Sequence, residues 1–427
     1  MSKRRNRKLT KILLVMTAIL IVLVAITYID EKTNANKDNS HSPNADGGMI
    51  STDNSGAPSP AGSDSSDKTD ISDKNGDNSD KPNTSDEDIH DNDNLIPPDA
   101  SDDIDDDASP AGPIVLAFAG DVNFDEDSKP VARYDRMNEG ILGCISQELV
   151  DEMNHADIFM LNNEFAYSTR GKEIAEKSYT FRAHPKRVNI LKEMGVDIVS
   201  LANNHALDFG VDALLDTFTT LDEAGIDYIG AGENMNRAKA PVYYTIEDTT
   251  IAYLAASRVI YAMDWYATDS RPGMIGTYDP ALFLTCIEEA RENSDFVIVY
   301  LHWGVERTHE PVQYQKNLAK MYIDAGADAV IGCHPHVMQG IEFYKGKPIA
   351  YSLGNYWFNA TKRETGLLKL YLNPDKTVDV QLLPAMGEDT YTYLITKESE
   401  RKAYFKFMKD ISFDVEFDED GFVTEKQ

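Results

Sequence analysis

From residue 114 onward, the chain alternates short apolar runs with longer stretches whose apolar residues recur at helical spacing. Five of the runs predict buried strands, while the longer stretches predict helices. Alternation of this kind favours an α/β fold built on a parallel sheet. The predicted strands are 114–119, 156–161, 196–199, 296–301 and 327–331, and the predicted helices are 141–153, 211–224, 280–293 and 314–325.

Two further parts of the pattern predict β structure. A strand pair is expected at residues 242–246 and 250–255, and short strands follow later, among them 351–358. Residues 376–427 predict edge strands and a weak tail. We therefore expect the main α/β domain to occupy residues 113–375.

Each of the five predicted strands ends in polar residues. In open α/β sheets ligands bind at the carboxyl ends of the strands, so we expect these side chains to share one edge. Carboxylates, an amide and imidazoles together suit zinc, manganese or iron better than calcium. The candidate ligands, in chain order, are Asp121, Glu164, Asn204, His302, His334 and His336.

This set exceeds the ligands of one tetrahedral ion and suffices for two metal ions, with Glu164 as the bridge. Each residue alone has an ordinary structural explanation: Asp121 as a cap or turn residue, Glu164 as a surface carboxylate, His302 as a satisfied core histidine. In the turn after the third strand, Asn204 and His205 supply an amide oxygen and a proton donor. Taken together at matching strand ends, the candidates favour a metal site.

The N-terminal part of the chain has a different pattern. Residues 1–11 are basic, and residues 12–28 form an uncharged apolar run of about 17 residues, near the lower limit for a membrane-spanning helix. The basic flank predicts a cytoplasmic N-terminus on a single-pass anchor in the cell membrane, with the remainder extracellular. A cleaved signal peptide is the alternative. Residues 29–112 are rich in Asp, Ser, Asn, Pro and Gly and predict a disordered acidic linker.

The 427 residues carry a formal net charge of −31, which excludes a general nucleic-acid binder because phosphate backbones need Lys and Arg. By count, about +6 lies in the first 29 residues, about −17 in residues 30–110 and about −20 in the remainder. An anionic ligand therefore has to be met by metal ions or by local basic residues. The three cysteines are too few for a disulfide scaffold, and we expect all three to be free and buried.

One compact basic cluster interrupts the acidic body, at Arg182, Lys186 and Arg187. Arginine pairs readily with carboxylate and phosphate groups, so the cluster is a candidate anion site. The alternative is a helix start with solvated charges. We expect Arg182 and His184, together with Arg307, to contact substrate.

Eight sequence motifs, in order, resemble those of the poly-gamma-glutamate capsule biosynthesis proteins of the CapA/PgsA type. The match covers about residues 114–371. That family is similar to a branch of the calcineurin-type metallophosphoesterases, which implies a four-layer α/β/β/α sandwich. The motifs are GDVNF, NNEFA, FRAHP, SLANNHALDFG, GAGEN, HWGVE, GCHPHVMQGIE and YSLGNYWF.

The resemblance carries roles over to particular residues. His205 stands where that superfamily has its general acid, and Glu164 stands where it has a bridging aspartate. The sequence departs at Asn123, where the superfamily usually has a histidine ligand, and at Glu164, which is longer than aspartate. We expect His205 and Asp208 to be catalytic. The expected ligands of the divalent metal ions are Asp121, Asn123, Glu164, Asn204, His302, His334 and His336.

The resemblance implies two functions of different classes. The first is a membrane-anchored, metal-dependent hydrolase or transferase that acts outside the cell on an anionic polymer such as poly-gamma-glutamate. The second is a non-catalytic subunit that binds or guides the nascent polymer beside membrane-embedded synthase subunits. The presence of His205 beside the ligand set favours the enzyme, because a scaffold does not need a proton donor there.

Overall fold

The computed structural model describes residues 112–359 and 361–426. The predicted membrane anchor at residues 12–28 and nearly all of the predicted acidic linker lie outside the described residues. Within the two described ranges, no helix is long and apolar enough to cross a membrane.

The strands of the described chain alternate with helices over most of its length, as the hydrophobic pattern predicts. The strands are β1 Ile114–Val122, β2 Ile158–Asn163, β3 Ala166–Tyr167, β4 Arg182–Ala183, β5 Ile198–Ser200, β6 Asp227–Ile229, β7 Ala231–Gly232, β8 Val242–Ile246, β9 Thr249–Ser257, β10 Gly273–Met274, β11 Phe296–His302, β12 Ala329–Cys333, β13 Ile341–Tyr344, β14 Lys347–Ala350, β15 Asn355–Trp357, β16 Arg363–Leu372, β17 Val378–Glu388, β18 Tyr391–Leu394, β19 Val415–Phe417 and β20 Phe422–Glu425.

The helices lie mainly in the connections between parallel strands. The α-helices are α1 Lys129–Arg136, α2 Gln147–Asn154, α3 Val188–Glu193, α4 Val211–Ala224, α5 Met235–Lys239, α6 Ala281–Glu292, α7 Gln313–Asp324 and α8 Glu398–Ile411, and the 3₁₀-helices are Gly140–Gly143, Pro185–Arg187 and Met263–Trp265. Helix α4 ends at Gly225, whose φ of 71° is the left-handed conformation that glycine adopts without strain.

Two large sheets carry most of these strands, and two small pairs, β3 with β4 and β7 with β10, hold the others. The first has ten strands in the order β19-β20-β17-β16-β1-β2-β5-β6, with β15 beside β1 and β18 beside β17. The second has six strands in the order β13-β14-β12-β11-β9-β8. The central strands of each sheet are parallel to one another: β1, β2, β5 and β6 in the first, and β9, β11, β12 and β14 in the second.

The two sheets pack face to face, with helices on their outer faces. Along β1, alternate residues point to opposite sides. Leu116 and Phe118 enter the core between the sheets, where the rings of Phe118 and Tyr253 lie 6.3 Å apart, while Ala117 and Ala119 face the helices. Helices α2, α3 and α4 cover the first sheet, and α6 and α7 cover the second. The expectation of a mixed α/β fold is confirmed, and the layers follow the order helix, sheet, sheet, helix.

The hydrophobic pattern located all five predicted strands, although three of them begin two residues later than predicted. The prediction of one continuous helix over residues 141–153 is wrong. The chain breaks there because the backbone around Cys144 pairs with β18: Thr392 N donates to Cys144 O, and Ser146 N donates to Thr392 O, both at 2.9 Å. These bonds to a neighbouring strand replace the bonds of a continuous helix.

Helix α8 was not predicted from the sequence. Its apolar residues Tyr404, Phe405, Phe407 and Met408 lie within five consecutive positions, and such a run does not distinguish helix from strand by period alone. Tyr404, Phe405 and Met408 pack into the core between the sheets. The boundary predicted between residues 375 and 376 falls in the hairpin that joins β16 to β17, which pair over ten positions.

Candidate metal centre

The predicted ligands come together where the parallel strands of both sheets end. Asp121 lies at the end of β1, Glu164 follows β2, and His302 is the last residue of β11. Asn204 and His205 lie in the turn after β5. Both sheets therefore direct the carboxyl ends of their strands to one site.

The Glu164 carboxylate lies at the centre of this site. Its side chain is fully buried, and its Oε1 atom has no hydrogen-bond partner. Three imidazole nitrogens surround that oxygen: Nε2 of His302 at 3.7 Å, and Nε2 of His205 and of His336 at 3.9 Å each. These distances exceed a hydrogen bond. A buried carboxylate oxygen without a partner is costly, and a cation held between it and the imidazoles removes that cost.

The segment after β12 delivers two histidines in an unusual backbone conformation. His334 and His336, on either side of Pro335, have φ angles of 96° and 58°. Non-glycine residues rarely adopt positive φ, and such residues cluster at functional sites. His334 N donates to Asp121 Oδ2 at 3.2 Å, while its buried Nδ1 atom has no partner. The Nδ1 atom of His334 is therefore a second atom that a cation can bind.

The buried carboxyl groups of Asp121 and Glu164 differ in the direction of their pKa shifts. Burial raises the pKa of Asp121, but the hydrogen bond and charge of His336, together with the hydrogen bond from Asn162 and the charge of His334, outweigh it, and the net pKa is lowered. Burial, and then the negative charge of Asp121, raise the pKa of Glu164 well above its usual range. Asn162 Nδ2 lies between the carboxylates and donates to Asp121 Oδ1 at 2.7 Å and to Glu164 Oε2 at 3.3 Å.

His302 and His334 favour the neutral form, whereas burial of His336 is outweighed by the hydrogen bond and charge of Asp121, with Asn355, so that its pKa is raised. Burial lowers the pKa of His302 well below its usual value and that of His334 to about 3. Neutral imidazole is the form that binds metal ions. The donor set thus consists of carboxylates, neutral imidazoles and an amide oxygen, a combination that suits zinc, manganese or iron.

Two groups of three side chains each bring potential ligand atoms within 4.8 Å of one another. They are Glu164, His334 and His336, and Asp121, His302 and Cys333. In the second group, the NH₂ of Asn162 is 2.7 Å from Asp121 Oδ1 and 3.4 Å from His302 Nδ1, so a donor occupies the approach to those atoms. The opposite nitrogen, His302 Nε2, faces Glu164 and lies 2.7 Å from Asn204 Oδ1. Cations are therefore favoured on the Glu164 side.

His205 is held by its Nδ1 atom, which lies 2.6 Å from Asp208 Oδ2. The Phe181 ring stacks on the imidazole with 4.2 Å between centroids, and Phe181 N donates to Asp208 Oδ2. Lys177 Nζ donates to Asp208 Oδ1 and to the Asn204 carbonyl. These contacts fix the ring with its Nε2 atom facing Glu164. Burial lowers the pKa of His205 despite the opposing effect of Asp208.

A cleft of about 380 Å³ opens onto the site, and His205 and His336 form part of its wall. Arg307, one of the three predicted substrate contacts, lines this cleft, as does Arg363. Asn123 also lines the cleft, but its Oδ1 accepts a hydrogen bond from Asp125 N at 2.8 Å and so holds a turn. The remaining lining residues are Asp125, Asp127, Ser128, Lys129, Pro130, Tyr179, Phe181, Glu306, Phe358 and Asn359.

The structure does not bring the other two predicted substrate contacts into this cleft. The Arg182 guanidinium lies 4.1 Å from the centre of the Phe209 ring and donates to the Arg170 carbonyl. His184 is exposed, and its Nδ1 accepts from Lys186 N, which caps a 3₁₀-helix.

The basic cluster around Arg182 is also neutralised locally. Arg187 is buried and pairs with both Glu126 and Asp135. These acidic partners lie 61 and 52 positions away in the sequence. Arg187 therefore holds distant parts of the fold together and is not free to bind an anion.

A family model described as "Bacterial capsule synthesis protein PGA_cap" matches residues 115–360. The chain belongs to this PGA_cap family. The resemblance to CapA-type capsule biosynthesis proteins, based on the sequence motifs, is confirmed. The matched range contains all the candidate ligands.

Two relatives carry names that fit the PGA_cap family. The "PGA biosynthesis protein CapA" of Bacillus subtilis is 34% identical over 226 residues, which are 52% of this chain and 59% of that protein. The "Capsule biosynthesis protein CapA" of Bacillus anthracis is 33% identical over 246 residues, which are 56% of this chain and 59% of that protein. The match thus spans less than two thirds of either relative's length.

Solved structures resemble this PGA_cap chain more distantly. A novel phosphatase from Mycoplasma pneumoniae has 13% sequence identity and a TM-score of 0.41, and it covers 65% of this chain and 95% of its own. The NAD nucleotidase of Haemophilus influenzae has 11% identity and a TM-score of 0.40, covering 70% of this chain and 63% of its own.

Several residues of the site in this PGA_cap protein escaped the sequence analysis. Asn162 and Asn355 belong to two of the sequence motifs, NNEFA and YSLGNYWF, and the position of Asn162 directly before Asn163 and Glu164 was a usable signal. Cys333 directly precedes His334 and was expected only as a buried residue, which it is. Lys177 and Arg363 lie in segments without a chemical motif, so nothing in the sequence marked them.

Proposed function

We propose that this PGA_cap protein is a metal-dependent hydrolase or transferase that acts on an anionic polymer such as poly-gamma-glutamate. One observation carries the proposal: the buried Glu164 Oε1 atom has no partner while three imidazole nitrogens face it at 3.7–3.9 Å. Hydrogen bonding within the protein leaves this oxygen unsatisfied, and a divalent cation satisfies it. The names of the Bacillus relatives support the polymer as substrate.

The residues present fit divalent metal ions, and we propose that two would be held around Glu164. Zinc, manganese and iron match the mixture of carboxylate, amide and imidazole donors. Ions bound there would supply Lewis acidity and stabilise negative charge that develops on the substrate. The residues that would hold them are Asp121, Glu164, Asn204, His302, His334 and His336.

His205 is the proposed proton donor to the leaving group. Its Nδ1 atom is committed to Asp208, so the proton available for transfer is on Nε2, at the face that meets the cleft. Asp208 orients the ring, and Lys177 and Phe181 hold Asp208 in turn. Fixing the imidazole in this way leaves little reorientation to be made during proton transfer.

Arg307 and Arg363 are the proposed contacts to the anionic groups of the polymer. Both line the cleft, and both bond to the segment that carries His336: Arg307 N donates to Pro335 O at 2.7 Å, and Arg363 donates to His336 O at 3.1 Å. Guanidinium groups form bidentate hydrogen bonds with carboxylates.

We expect Arg307→Ala and Arg363→Ala each to raise KM for poly-gamma-glutamate by about 10-fold with little change in kcat, since a hydrogen bond to a charged group contributes about 1.5–3 kcal/mol. Arg136→Ala, on exposed α1, is the matched control and should leave KM unchanged. Equal KM values for all the variants would remove both arginines from the substrate site.

We also propose that residues 12–28 anchor the protein in the cell membrane, that the acidic segment 29–112 is a spacer, and that the site lies outside the cell. The basic residues 1–11 beside the apolar run support this orientation. Protease added to intact cells is expected to digest the domain that carries the site. A domain protected until the cells are lysed contradicts this placement.

The activity is tested with the full chain, purified in detergent and loaded with Mn²⁺ or Zn²⁺. We expect it to shorten poly-gamma-glutamate or to transfer polymer ends to an amine acceptor, as measured by polymer size and by new amino termini. Chelator treatment should stop the reaction and metal should restore it. A metal-loaded protein that binds the polymer without changing it would instead support the polymer-binding subunit.

A further inference from the structure

We propose that the Cys333 thiol is a positioning residue for the metal centre, because it fixes the tautomer in which His302 presents its Nε2 lone pair to a cation. The inference rests on the proposed function, which makes His302 a metal ligand. It goes further by giving a role to a buried cysteine that is neither a ligand nor part of a disulfide.

The two nitrogens of His302 have different surroundings. Its Nε2 atom lies 2.7 Å from Asn204 Oδ1 and 3.7 Å from Glu164 Oε1, and both of those atoms are acceptors. For Nε2 to bind a cation beside them, the ring proton must be on Nδ1. A buried Nδ1–H group then needs an acceptor of its own.

Two side chains approach His302 Nδ1. Asn162 Nδ2 lies 3.4 Å away, but its two N–H groups point to Asp121 Oδ1 at 2.7 Å and Glu164 Oε2 at 3.3 Å, and an amide nitrogen is not an acceptor. Cys333 Sγ lies at 3.3 Å. The cysteine is thus the acceptor that the side chains around Nδ1 provide.

The thiol is free to accept this bond. Its own S–H group donates to the Leu301 carbonyl, 3.5 Å from Sγ, which leaves the sulfur lone pairs directed elsewhere. Cys333 ends β12 opposite His302 in the register of β11 and β12, so the two side chains are held next to each other by the sheet itself. The sulfur is fully buried and cannot be replaced by water.

His336 repeats the same arrangement with a different partner. Its Nδ1 atom lies 2.7 Å from Asn355 Oδ1, so that Nε2 faces Glu164 Oε1 at 3.9 Å. In both histidines an acceptor lies against Nδ1 and leaves Nε2 for the cation. For His336 the Asp121 carboxylate is a second acceptor, with Oδ2 at 3.3 Å from Nδ1. Partners of this kind orient metal-binding histidines, and their loss typically weakens metal affinity by 10–100-fold.

The other tautomer of His302 competes with cation binding, and loss of the sulfur acceptor shifts the balance further toward it. Nε2 then carries the proton and donates to Asn204 Oδ1 at the observed 2.7 Å, which ties up two ligands in a hydrogen bond with each other. A cation has to break that bond before it binds. Removal of the acceptor therefore acts on metal affinity and leaves the packing of the metal-free protein nearly unchanged if the volume is kept.

The test compares Cys333→Val, an apolar, slightly larger side chain without an acceptor, with Cys333→Ser, which keeps an acceptor. Zn²⁺ affinity of the full chain is measured by competition with a chromogenic chelator, and thermal unfolding of the metal-free forms serves as the fold control. We expect Cys333→Val to bind Zn²⁺ about 10–100-fold more weakly. We expect Cys333→Ser to lie closer to wild type. Cys286→Val, a buried cysteine on α6 away from the site, should bind like wild type.

Several outcomes overturn the inference. They are equal Zn²⁺ affinity for Cys333→Val and wild type, equal weakening in Cys333→Val and Cys333→Ser, or a sulfur-to-metal charge-transfer band in the Co²⁺ form of the wild type, which makes Cys333 a ligand. If the wild-type chain binds no Zn²⁺ or Co²⁺ at all, the proposed function has failed. If only the role of the Cys333 thiol is wrong, the wild-type chain still binds Zn²⁺ tightly.

Discussion

We expect the Glu164→Gln variant of the full chain to lose its divalent metal ions on dialysis against metal-free buffer that leaves wild type loaded. Glutamine keeps the shape of the side chain but removes the negative charge that three imidazoles surround. A bridging ligand serves two ions, so its loss is expected to weaken both sites. Elemental analysis of the dialysed proteins measures the effect, and Glu148→Gln, on the exposed face of α2, is the matched control.

The same substitution is expected to stabilise the metal-free protein at neutral pH by about 1–3 kcal/mol, since it removes an unsatisfied buried carboxylate. The folded-state pKa of Glu164 is raised above its ordinary value of 4.5, so wild type is relatively more stable when both states are protonated. The difference should therefore shrink as the pH falls toward 4.5, and denaturant titrations at several pH values measure it. A variant that keeps its metal, or is destabilised without it, contradicts the assignment of Glu164.

The second large effect is expected for His205→Gln. This variant should retain wild-type metal content and lose activity on poly-gamma-glutamate by about 10²–10⁴-fold, the usual contribution of a general acid. Glutamine cannot transfer a proton, but its amide can still bond to Asp208, so the local fold is expected to survive. The rates of polymer shortening with saturating metal measure the effect.

His155→Gln provides the matched control for this substitution. His155 is exposed at the end of α2, and its Nδ1 contacts only the Asp151 carbonyl among the hydrogen bonds of the described chain. It should keep full activity. Wild-type activity in His205→Gln would show that the reaction uses another proton donor. Loss of bound metal together with the loss of activity would show that His205 is a metal ligand.

The ends of the parallel strands were predictable because one physical rule covers them. A short apolar run marks a buried strand, and the polar residue after it lies at the carboxyl edge where ligands bind. Asp121, Glu164 and His302 were found in this way, from positions up to 181 residues apart. The rule holds for both sheets, since each sheet has a parallel centre.

The partners of these ligands were not predictable, because they depend on which strands become neighbours. Asn162 lies between two carboxylates only because β1 pairs with β2. Cys333 meets His302 through the pairing of β11 with β12. Lys177 comes from an irregular loop and reaches Asp208 31 positions later. Nothing in the local sequence fixes such a contact.

Arg182 and His184, which were predicted to contact substrate, lie outside the cleft for a related reason. A basic cluster in the sequence carries a net positive charge only if no acidic side chain folds against it. Arg187 pairs with Glu126 and Asp135, which precede it by 61 and 52 positions, and His184 is used as a helix cap. Arg307 lies outside the basic cluster in the sequence. It lines the cleft, where Arg363 joins it from β16.

The most direct test of the metal centre is elemental analysis of the full chain, purified without chelator and titrated with Zn²⁺, Mn²⁺ and Fe²⁺ in turn. We predict that at least one of these metals binds tightly, approaching two ions per chain, and that binding raises the unfolding temperature. No binding of any of the three, with an unfolding temperature that none of them changes, would mean that Glu164 and the surrounding imidazoles do not form a metal site.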